Sequence, residues 1–180
     1  QITDLAMNGT LEFSEALKKR IAMLDLNKND ISNIVALLKT RISPSFIKHQ
    51  ENIKSKNDHI YIISGGFKEI IYEVVKDFGI HKNQILANDF IYDNNHIIGI
   101  DSNNPLSSKD GKIKALQSLN LADPIYVIGD GYTDFEMKQV SGVKAFICYT
   151  ENINRLSVSK VADYVAKNLD DTFTYIESND

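Results

Sequence analysis

Residues 125–134 read IYVIGDGYTD, an apolar run that leads into two glycines and two aspartates. The apolar residues predict a buried strand, and Asp130 follows where that strand would end. In an open parallel sheet, ligands bind beyond the carboxyl ends of the strands, so Asp130 would offer oxygen ligands to a hard cation such as Mg²⁺. Asp134 falls in the first turn of the next helix, where it would ligate the metal or orient its waters. The simpler alternative makes both aspartates helix caps.

The composition is typical of a globular domain with a hydrophobic core. The chain has 180 residues, of which 43% are hydrophobic, and a formal net charge of −4. This balance argues against nucleic-acid binding, because phosphate contacts need a basic face. No apolar run approaches the roughly 18 residues of a membrane span. The single cysteine, Cys148, and the lack of a signal-like N-terminus predict a cytoplasmic protein in which Cys148 is buried.

Strand-like and helix-like patterns alternate along most of the chain. The first part lacks a strand-like run and predicts a small helical unit, in which Asp30 would cap the second helix. Pro44 would begin a third helix that reaches the polar run Glu51–Asp58. The alternation that follows is typical of an α/β fold, a parallel sheet with helices on both faces. We expect a helical cap at 1–43 and a core at 44–180, with a β-hairpin at about 88–101. The expected strands are 60–63, 85–87, 90–92, 96–100, 125–128, 144–148 and 162–165, and the expected helices of the core include 67–78, 112–119, 133–140 and 152–158.

A second strand end carries Ser64-Gly65-Gly66, directly after the apolar run 60–63. The serine hydroxyl and the glycine N–H groups lead into an amphipathic helix that Gly79 would end. Free N–H groups at a helix N-terminus favour an anion such as phosphate. The alternative is a tight turn between strand and helix in which Ser64 caps the helix.

A lysine stands at the start of another predicted helix. Lys112 precedes the apolar positions of that helix, where its positive charge opposes the helix dipole. A phosphate close to the lysine would offset this unfavourable interaction with the dipole. Lys109 is a rival for the same role, and either lysine taken alone is more often a solvated surface residue.

These motifs occur in a specific order: SGGF at 64–67, a lysine at 109–112 and GDGYTD at 129–134. Together they resemble the haloacid dehalogenase (HAD) superfamily of phosphohydrolases and, within it, the phosphoserine phosphatases. The segment AMNGTLEFSEALKKR at 6–20 adds to the resemblance, because it is similar to the cap segment of those phosphatases. The resemblance implies a Rossmann-like HAD core, Mg²⁺ as cofactor, O-phosphoserine as the small phosphorylated substrate, and a place in L-serine biosynthesis.

The resemblance also implies roles for residues around the phosphate. Ser64 would donate its hydroxyl and Gly65 a backbone N–H, while Lys112 would neutralise charge on the phosphate and the transition state. Asp130 would ligate Mg²⁺, with Asp134 supporting the metal or its waters. Thr133 stands where members of that family carry Asn or Thr and would help to hold the site.

The same resemblance implies residues for the rest of the substrate. Arg20 would pair with the substrate carboxylate, for which a planar guanidinium with two donors is well suited. Met7 and Phe13 would close the site over the substrate. Without the resemblance, Arg20 would be interpreted as one member of the exposed basic run 18–20.

The sequence departs from the family at the nucleophile. The family places a DxDxT motif on a first strand upstream of the cap, and these 180 residues contain no such motif. Asp101-Ser102-Asn103 and Leu169-Asp170-Asp171-Thr172 stand at the wrong places in the order. The expectation is a truncated chain that has no phosphatase activity alone. We also expect either that the missing segment is supplied by other residues or another chain, or that the parallel sheet is visibly split, because the first strand is central in this family.

Two further functions remain open on the sequence alone. One keeps the HAD chemistry but acts on another small phosphate ester. The other is a non-catalytic module that binds a phosphorylated ligand and has lost its nucleophile. A DxDxT motif in the upstream reading frame would favour the enzyme, and its absence would favour the binding module.

Overall fold

The computed structural model describes Glu15, Lys19, Ile21, residues 23–122 and residues 124–179. The described chain divides into two compact units. The first joins the described residues up to Arg41 with Ile53–Gly111, and the second joins Ile42–Asn52 with the chain from Lys112 onwards. This division reflects compactness and does not test the predicted boundary between a cap at 1–43 and a core at 44–180, which stays a prediction.

The described elements alternate as the sequence predicts. The helices are α1 (Lys28–Lys39), α2 (Pro44–Lys48), α3 (Gln50–Ser55), α4 (Lys68–Val75), α5 (Gly111–Ser118), α6 (Tyr132–Phe135), α7 (Leu156–Ser159) and α8 (Leu169–Glu177). The strands are β1 (Ile62–Phe67), β2 (Ile85–Asn88), β3 (Phe90–Asp93), β4 (His96–Ile100), β5 (Ile125–Gly129), β6 (Val143–Tyr149) and β7 (Tyr164–Ala166). Short 3₁₀ turns lie at Asn57–His59, Lys76–Phe78, Lys82–Gln84, Pro105–Ser107 and Glu136–Gln139.

The described strands form three separate sheets. Strands β1 and β2 pair in parallel, β3 and β4 form an antiparallel hairpin, and β5, β6 and β7 form a parallel sheet with β6 in the middle. The predicted parallel α/β class and the hairpin at about 88–101 are therefore confirmed. Among the described strands the parallel pairing is divided between two sheets, which agrees with the expectation of a split sheet.

Helix α1 of the first unit begins one turn earlier than its predicted cap. The N-cap is Asn27, whose side chain accepts from the backbone N–H groups of Asn29 and Asp30. Asp30, predicted to be the cap, instead lies three residues into the motif and accepts from the N–H of Asn27 at 2.9 Å. This reciprocal capping box gives acceptors to backbone N–H groups at the helix start that would otherwise be unpaired. It sets the start of a helix whose buried Ile31 packs against the hairpin residues Ile97 and Ile100.

Two predicted helices are shorter than their apolar patterns suggest. The helix expected to run from Pro44 into the polar stretch 51–58 is two short helices interrupted at His49, followed by a 3₁₀ turn. The helix expected at 133–140 is one α-helical turn that continues as a 3₁₀ turn, Glu136–Gln139. In contrast, Gly79 ends the helical stretch after α4 with a φ of 79°, the left-handed conformation expected of a glycine at that position.

Strand β6 is the centre of the second unit. Phe146, Ile147 and Cys148 are completely buried, as expected for the middle strand of a parallel sheet covered on both faces. The burial of Cys148 is confirmed. The register pairs Gly129 with Cys148, so the loop that carries Asp130 leaves the sheet next to the carboxyl end of β6.

Candidate active site

Asp134 and Lys112 form a largely buried ion pair in the second unit. The Lys112 Nζ atom donates to Asp134 Oδ1 at 2.6 Å, and the two side chains are only 23% and 11% exposed. The other carboxylate oxygen, Oδ2, accepts the backbone N–H of Gly131 at 3.0 Å. Asp134 therefore fixes the loop at the end of β5 and holds the lysine ammonium beside it. The capping alternative is correct in part, because Asp134 does cap the start of α6.

Gly129 is required by the position of the Asp134 side chain. A Cβ atom added at Gly129 would lie 2.4 Å from the Cγ and Oδ2 atoms of Asp134. Such distances are far inside van der Waals contact, so any larger residue would displace the carboxylate. Gly131 is less constrained, because a Cβ atom there would lie 3.2 Å from Asp134 Oδ2. The first glycine of the motif thus allows the carboxylate to fold back over the strand end.

Asp130 lies on the exposed side of the same loop and pairs with Arg155. The Arg155 Nη1 atom donates to Asp130 Oδ2 and also to the Asp130 backbone carbonyl, the latter at 3.2 Å. The two side chains are 45% and 47% exposed, which leaves the pair open to solvent and ions. Asp130 is therefore accessible to a cation, while Asp134 has both oxygens engaged.

The loop after β5 offers Mg²⁺ one accessible carboxylate. Mg²⁺ is commonly held by one or two carboxylates together with waters and substrate phosphates. Asp130 supplies one such carboxylate, and Asp134 would have to give up Lys112 or Gly131 to ligate directly. Within the described chain, no group of three or more His, Cys, Asp or Glu side chains is arranged to hold a metal ion. The loop thus matches a site that substrate and water would complete.

The Ser64-Gly65-Gly66 stretch of the first unit lies inside β1 rather than after it. The ladder with β2 pairs Ile63 with Leu86 and then Phe67 with Asn88, so three residues of β1 oppose one residue of β2. This bulge removes the serine and both glycines from regular pairing. Gly65 is exposed, and a Cβ atom there would meet nothing within 4 Å. The stretch therefore presents its backbone to solvent, as an anion site requires.

The Ser64 hydroxyl is oriented by its own turn. Its Oγ atom accepts the backbone N–H of Gly66 at 3.0 Å. A hydroxyl has one hydrogen to donate and two lone pairs, so accepting from Gly66 leaves its hydrogen available for a ligand. The prediction that Ser64 is a possible N-cap is wrong, because α4 begins at Lys68 and its N-cap residue is Phe67. Phe67 is held by stacking on Phe90 of the hairpin, with ring centroids 3.8 Å apart.

The predicted site residues fall into three groups. Ser64 and Gly65 belong to the first unit. Lys112, Asp130, Thr133 and Asp134 belong to the second unit, where Thr133 is exposed on α6. Lys109, the rival of Lys112, is exposed in the first unit. Met7, Phe13 and Arg20 lie outside the described residues, so their predicted contacts with substrate stay predictions.

Sequence reasoning missed a polar cluster near the end of β6. The buried Ser45 donates its hydroxyl to Glu151 Oε2 at 2.6 Å and its N–H to Oε1 at 3.1 Å, and Tyr149 also donates to this carboxylate. Burial opposes the charge of Glu151, but these hydrogen bonds outweigh it and lower the pKa of the carboxyl below its usual value. Burial raises the pKa of Tyr149, so that its hydroxyl stays protonated. Ser45 is more than a hundred residues away in sequence, so spacing gave no signal of this cluster.

Comparison with known families identifies the fold and chemistry class. The family model described as haloacid dehalogenase-like hydrolase matches residues 4–139, which is most of the chain and includes all three ordered motifs. The chain belongs to the haloacid dehalogenase-like hydrolases. The resemblance inferred from the motifs is confirmed.

Curated relatives of this haloacid dehalogenase-like chain are phosphoserine phosphatases. The chloroplastic phosphoserine phosphatase of Arabidopsis thaliana is 32% identical over 167 residues, which are 91% of this chain and 57% of the relative. The phosphoserine phosphatase of Homo sapiens is 28% identical over 168 residues, which are 91% of this chain and 74% of the relative. The chain thus spans less than two thirds of the plant protein.

Solved structures agree with the family assignment. A phosphoserine phosphohydrolase-like protein from Francisella tularensis matches with a TM-score of 0.73 and 28% identity, covering 97% of this chain and 82% of that chain. A phosphoserine phosphatase from T. onnurineus matches with a TM-score of 0.62 over 97% of this chain and 78% of that chain, and its 22% identity supports the fold alone. In the part of the chain that the structure describes, no helix combines the length and apolar character needed to cross a membrane.

Proposed function

We propose that this chain is part of a Mg²⁺-dependent phosphomonoesterase that hydrolyses O-phosphoserine to serine and phosphate. The observation that carries the proposal is the Lys112–Asp134 pair, held at 2.6 Å beside Asp130 at the carboxyl end of β5. Phosphoryl transfer is catalysed mainly by positioned positive charge, and an ammonium held by a carboxylate next to a solvent-open carboxylate provides that arrangement. The relatives named phosphoserine phosphatase support the choice of substrate.

The phosphate would be held by three donors. The free hydrogen of the Ser64 hydroxyl and the N–H of Gly65 would bind phosphate oxygens, and the Lys112 ammonium would offset their charge. Asp134 would keep the ammonium in place through its Oδ1 atom, 2.6 Å from Lys112 Nζ. Thr133, at the start of α6, would help to hold the same region.

Hydrolysis would take two steps. An aspartate that these 180 residues do not carry in a DxDxT motif would attack phosphorus, and the serine oxygen would leave and take up a proton. Water would then cleave the aspartyl-phosphate, which releases phosphate and restores the carboxylate. Mg²⁺ bound at Asp130 would supply positive charge to the phosphoryl oxygens. The residues of this chain would bind and orient the ester in the first step and the phosphoryl group in the second.

The amino-acid end of the substrate would be recognised by residues near the start of the chain. Arg20 would pair with the substrate carboxylate, and Met7 and Phe13 would close over it. A place in L-serine biosynthesis, in the cytoplasm, is part of the same proposal.

The proposal is tested by measuring binding and turnover on the same protein. We expect calorimetry to detect O-phosphoserine binding in the presence of Mg²⁺, and a phosphate-release assay to detect no turnover, because the nucleophile motif is absent. The variant Arg20→Ala should weaken O-phosphoserine binding more than the binding of p-nitrophenyl phosphate, which has no carboxylate. Turnover by these 180 residues would contradict the nucleophile part of the proposal. If O-phosphoserine fails to bind, the proposed substrate is wrong.

A further inference from the structure

Asn88 is a completely buried polar residue at the end of β2. Its side chain has no exposed surface, and its Nδ2 atom donates to the backbone carbonyl of Gly65 at 2.9 Å. A second, longer bond of 3.3 Å joins the same nitrogen to the carbonyl of Leu106. Asn88 therefore contacts the bulge of β1 through a completely buried side chain.

The amide of Asn88 is not fully satisfied. Its Oδ1 atom is buried and has no hydrogen-bond partner among the described residues. A buried polar atom without a partner is unfavourable, and an apolar side chain of similar size would avoid that cost. The stabilising contacts of this amide are therefore the two bonds that its Nδ2 group donates, and its Oδ1 atom adds a cost. The Nδ2 group makes the hydrogen bonds of this side chain, and the shorter of the two is the one to the carbonyl of Gly65.

The Gly65 carbonyl is coupled to the Ser64 hydroxyl through one peptide group. The carbonyl of Gly65 and the N–H of Gly66 belong to the same planar unit, so fixing one fixes the direction of the other. The N–H of Gly66 donates to Ser64 Oγ at 3.0 Å. Because the bulge leaves residues 64–66 outside the ladder, regular strand pairing does not hold this peptide plane.

We propose that Asn88 is a positioning residue that orients the Ser64 hydroxyl for phosphate, by holding the Gly65–Gly66 peptide plane. The inference rests on the proposed function, since it assumes that this turn binds the phosphate. Asn88 acts through the backbone and does not touch the ligand. Losing its amide leaves the turn free to rotate, so the hydroxyl and the Gly65 N–H no longer point at one anion.

The test uses inorganic phosphate and NMR of the ¹⁵N-labelled chain. Phosphate is titrated while the amide signals of Gly65 and Gly66 are followed, and thermal unfolding is measured for each protein. We expect Asn88→Leu to weaken phosphate binding by about tenfold. This is the order of magnitude of one lost hydrogen bond to a charged group, here the bond from the Ser64 hydroxyl to phosphate. Its unfolding temperature should fall less than that of a variant that removes a fully paired amide, because leucine removes an unpaired acceptor although it also leaves the carbonyls of Gly65 and Leu106 without this donor. Asn88→Ala, which leaves space rather than filling it, should weaken binding by a similar factor.

Gln84 offers a matched control in the same unit. It is also a buried amide, and its Nε2 atom donates to the carbonyls of Asn57 and Ile60 while its Oε1 atom accepts the N–H of His81. All parts of this amide are paired, so Gln84→Leu should lower the unfolding temperature. It should leave the phosphate affinity of the folded protein unchanged. A merely structural role for Asn88 would make the two leucine variants behave alike.

The outcomes separate this inference from the proposed function. If wild-type Gly65 and Gly66 signals do not respond to phosphate, the proposed phosphate turn is wrong and the inference falls with it. If they respond and Ser64→Ala weakens the response, but both Asn88 variants bind as tightly as the wild type, only the role of Asn88 is overturned. Should Asn88→Leu not fold, the Asn88→Ala result decides in the same way, with affinity taken from the folded fraction.

Discussion

At the scale of single residues, the candidate site depends on which lysine binds the phosphate. Lys112 is half-buried and bonded to Asp134, whereas Lys109 is exposed. We expect Lys112→Met to weaken O-phosphoserine binding by roughly tenfold or more, the order of magnitude of a hydrogen bond to a charged group. The matched variant Lys109→Met should bind as the wild type does. Calorimetric titration of both variants checks this, and equal losses would contradict the assignment of Lys112.

Arg155 is paired with Asp130, the carboxylate that is predicted to ligate Mg²⁺. A guanidinium on Asp130 competes with a divalent cation for the same oxygen and repels it. We therefore expect Arg155→Gln to tighten binding of Mn²⁺, used as a paramagnetic substitute for Mg²⁺, by roughly threefold or more, with solvent screening limiting the gain.

Electron paramagnetic resonance of free Mn²⁺ measures this affinity without any assay of activity. The control is Asp130→Asn, which should weaken Mn²⁺ binding whatever residue 155 is. If Asp130→Asn has no effect, the metal site is wrongly placed. If it has an effect but Arg155→Gln binds Mn²⁺ no more tightly than the wild type, the competition is refuted.

The residues that could be predicted are those with a local signal. Asp130 and Asp134 follow an apolar strand, and Lys112 begins a helix, so position alone suggested them. Asn88 also follows an apolar run at a strand end, but its partners are backbone carbonyls of Gly65 and Leu106, which the sequence pattern does not reveal. Arg155 gave no such signal, because its partner is 25 residues away and reaches it only through the fold.

At the scale of elements, the loop between β5 and α6 depends on one glycine. A Cβ atom at Gly129 would overlap the side chain of Asp134, which caps α6 and holds Lys112. We expect Gly129→Ala to lower the free energy of unfolding by about 1–3 kcal/mol, the usual cost of overpacking a fixed site. Denaturant unfolding measures this change, and Lys112 should lose its contact as a consequence.

Two other glycines serve as controls for that substitution. Gly131→Ala should cost less, because the nearest atom to its Cβ would be Asp134 Oδ2 at 3.2 Å. Gly65→Ala should be nearly neutral for stability, since its Cβ would meet nothing within 4 Å. If the three variants are equally stable, steric exclusion by Asp134 does not explain the glycine at position 129.

The sequence predicts helices and strands well where buried residues follow one another. It predicts the ends of these elements less well. The run that became β6 is apolar on both faces, as is typical of an inner parallel strand. Helix lengths were overestimated at 133–140, because the apolar spacing does not distinguish an α-helical turn from a 3₁₀ turn. The strand at Ser64 was ended too early, because two glycines were interpreted as a turn when they form a bulge.

At the scale of the whole molecule, the predicted site residues are divided between two compact units. Ser64 and Gly65 belong to one, and Lys112, Asp130, Thr133 and Asp134 to the other. Each unit holds its own parallel strands, and hydrogen bonds join the described strands only within each sheet. The proposed function assigns roles to residues of each unit.

The second unit carries an acid-sensitive cluster. Glu151 accepts hydrogen bonds from Ser45 and Tyr149, which lower its pKa in spite of burial and of the nearby negative charge of Asp170. A carboxyl whose folded pKa is lowered stabilises the fold above its ordinary pKa, and this contribution is lost as the pH falls through the folded value. We expect the free energy of unfolding to decrease between about pH 5 and about pH 3, around and below the ordinary pKa of a glutamate.

Replacing Glu151 should reduce that pH dependence. Glu151→Gln cannot ionise, so its free energy of unfolding should change less over the same range, while Asp163 and Asp170, whose pKa values are also lowered, keep part of the slope. Tyr149→Phe removes one donor to Glu151 and should give a slope between those of the wild type and Glu151→Gln. Urea unfolding at a series of pH values measures all three proteins. Identical slopes for the wild type and Glu151→Gln would mean that the cluster does not link proton binding to folding.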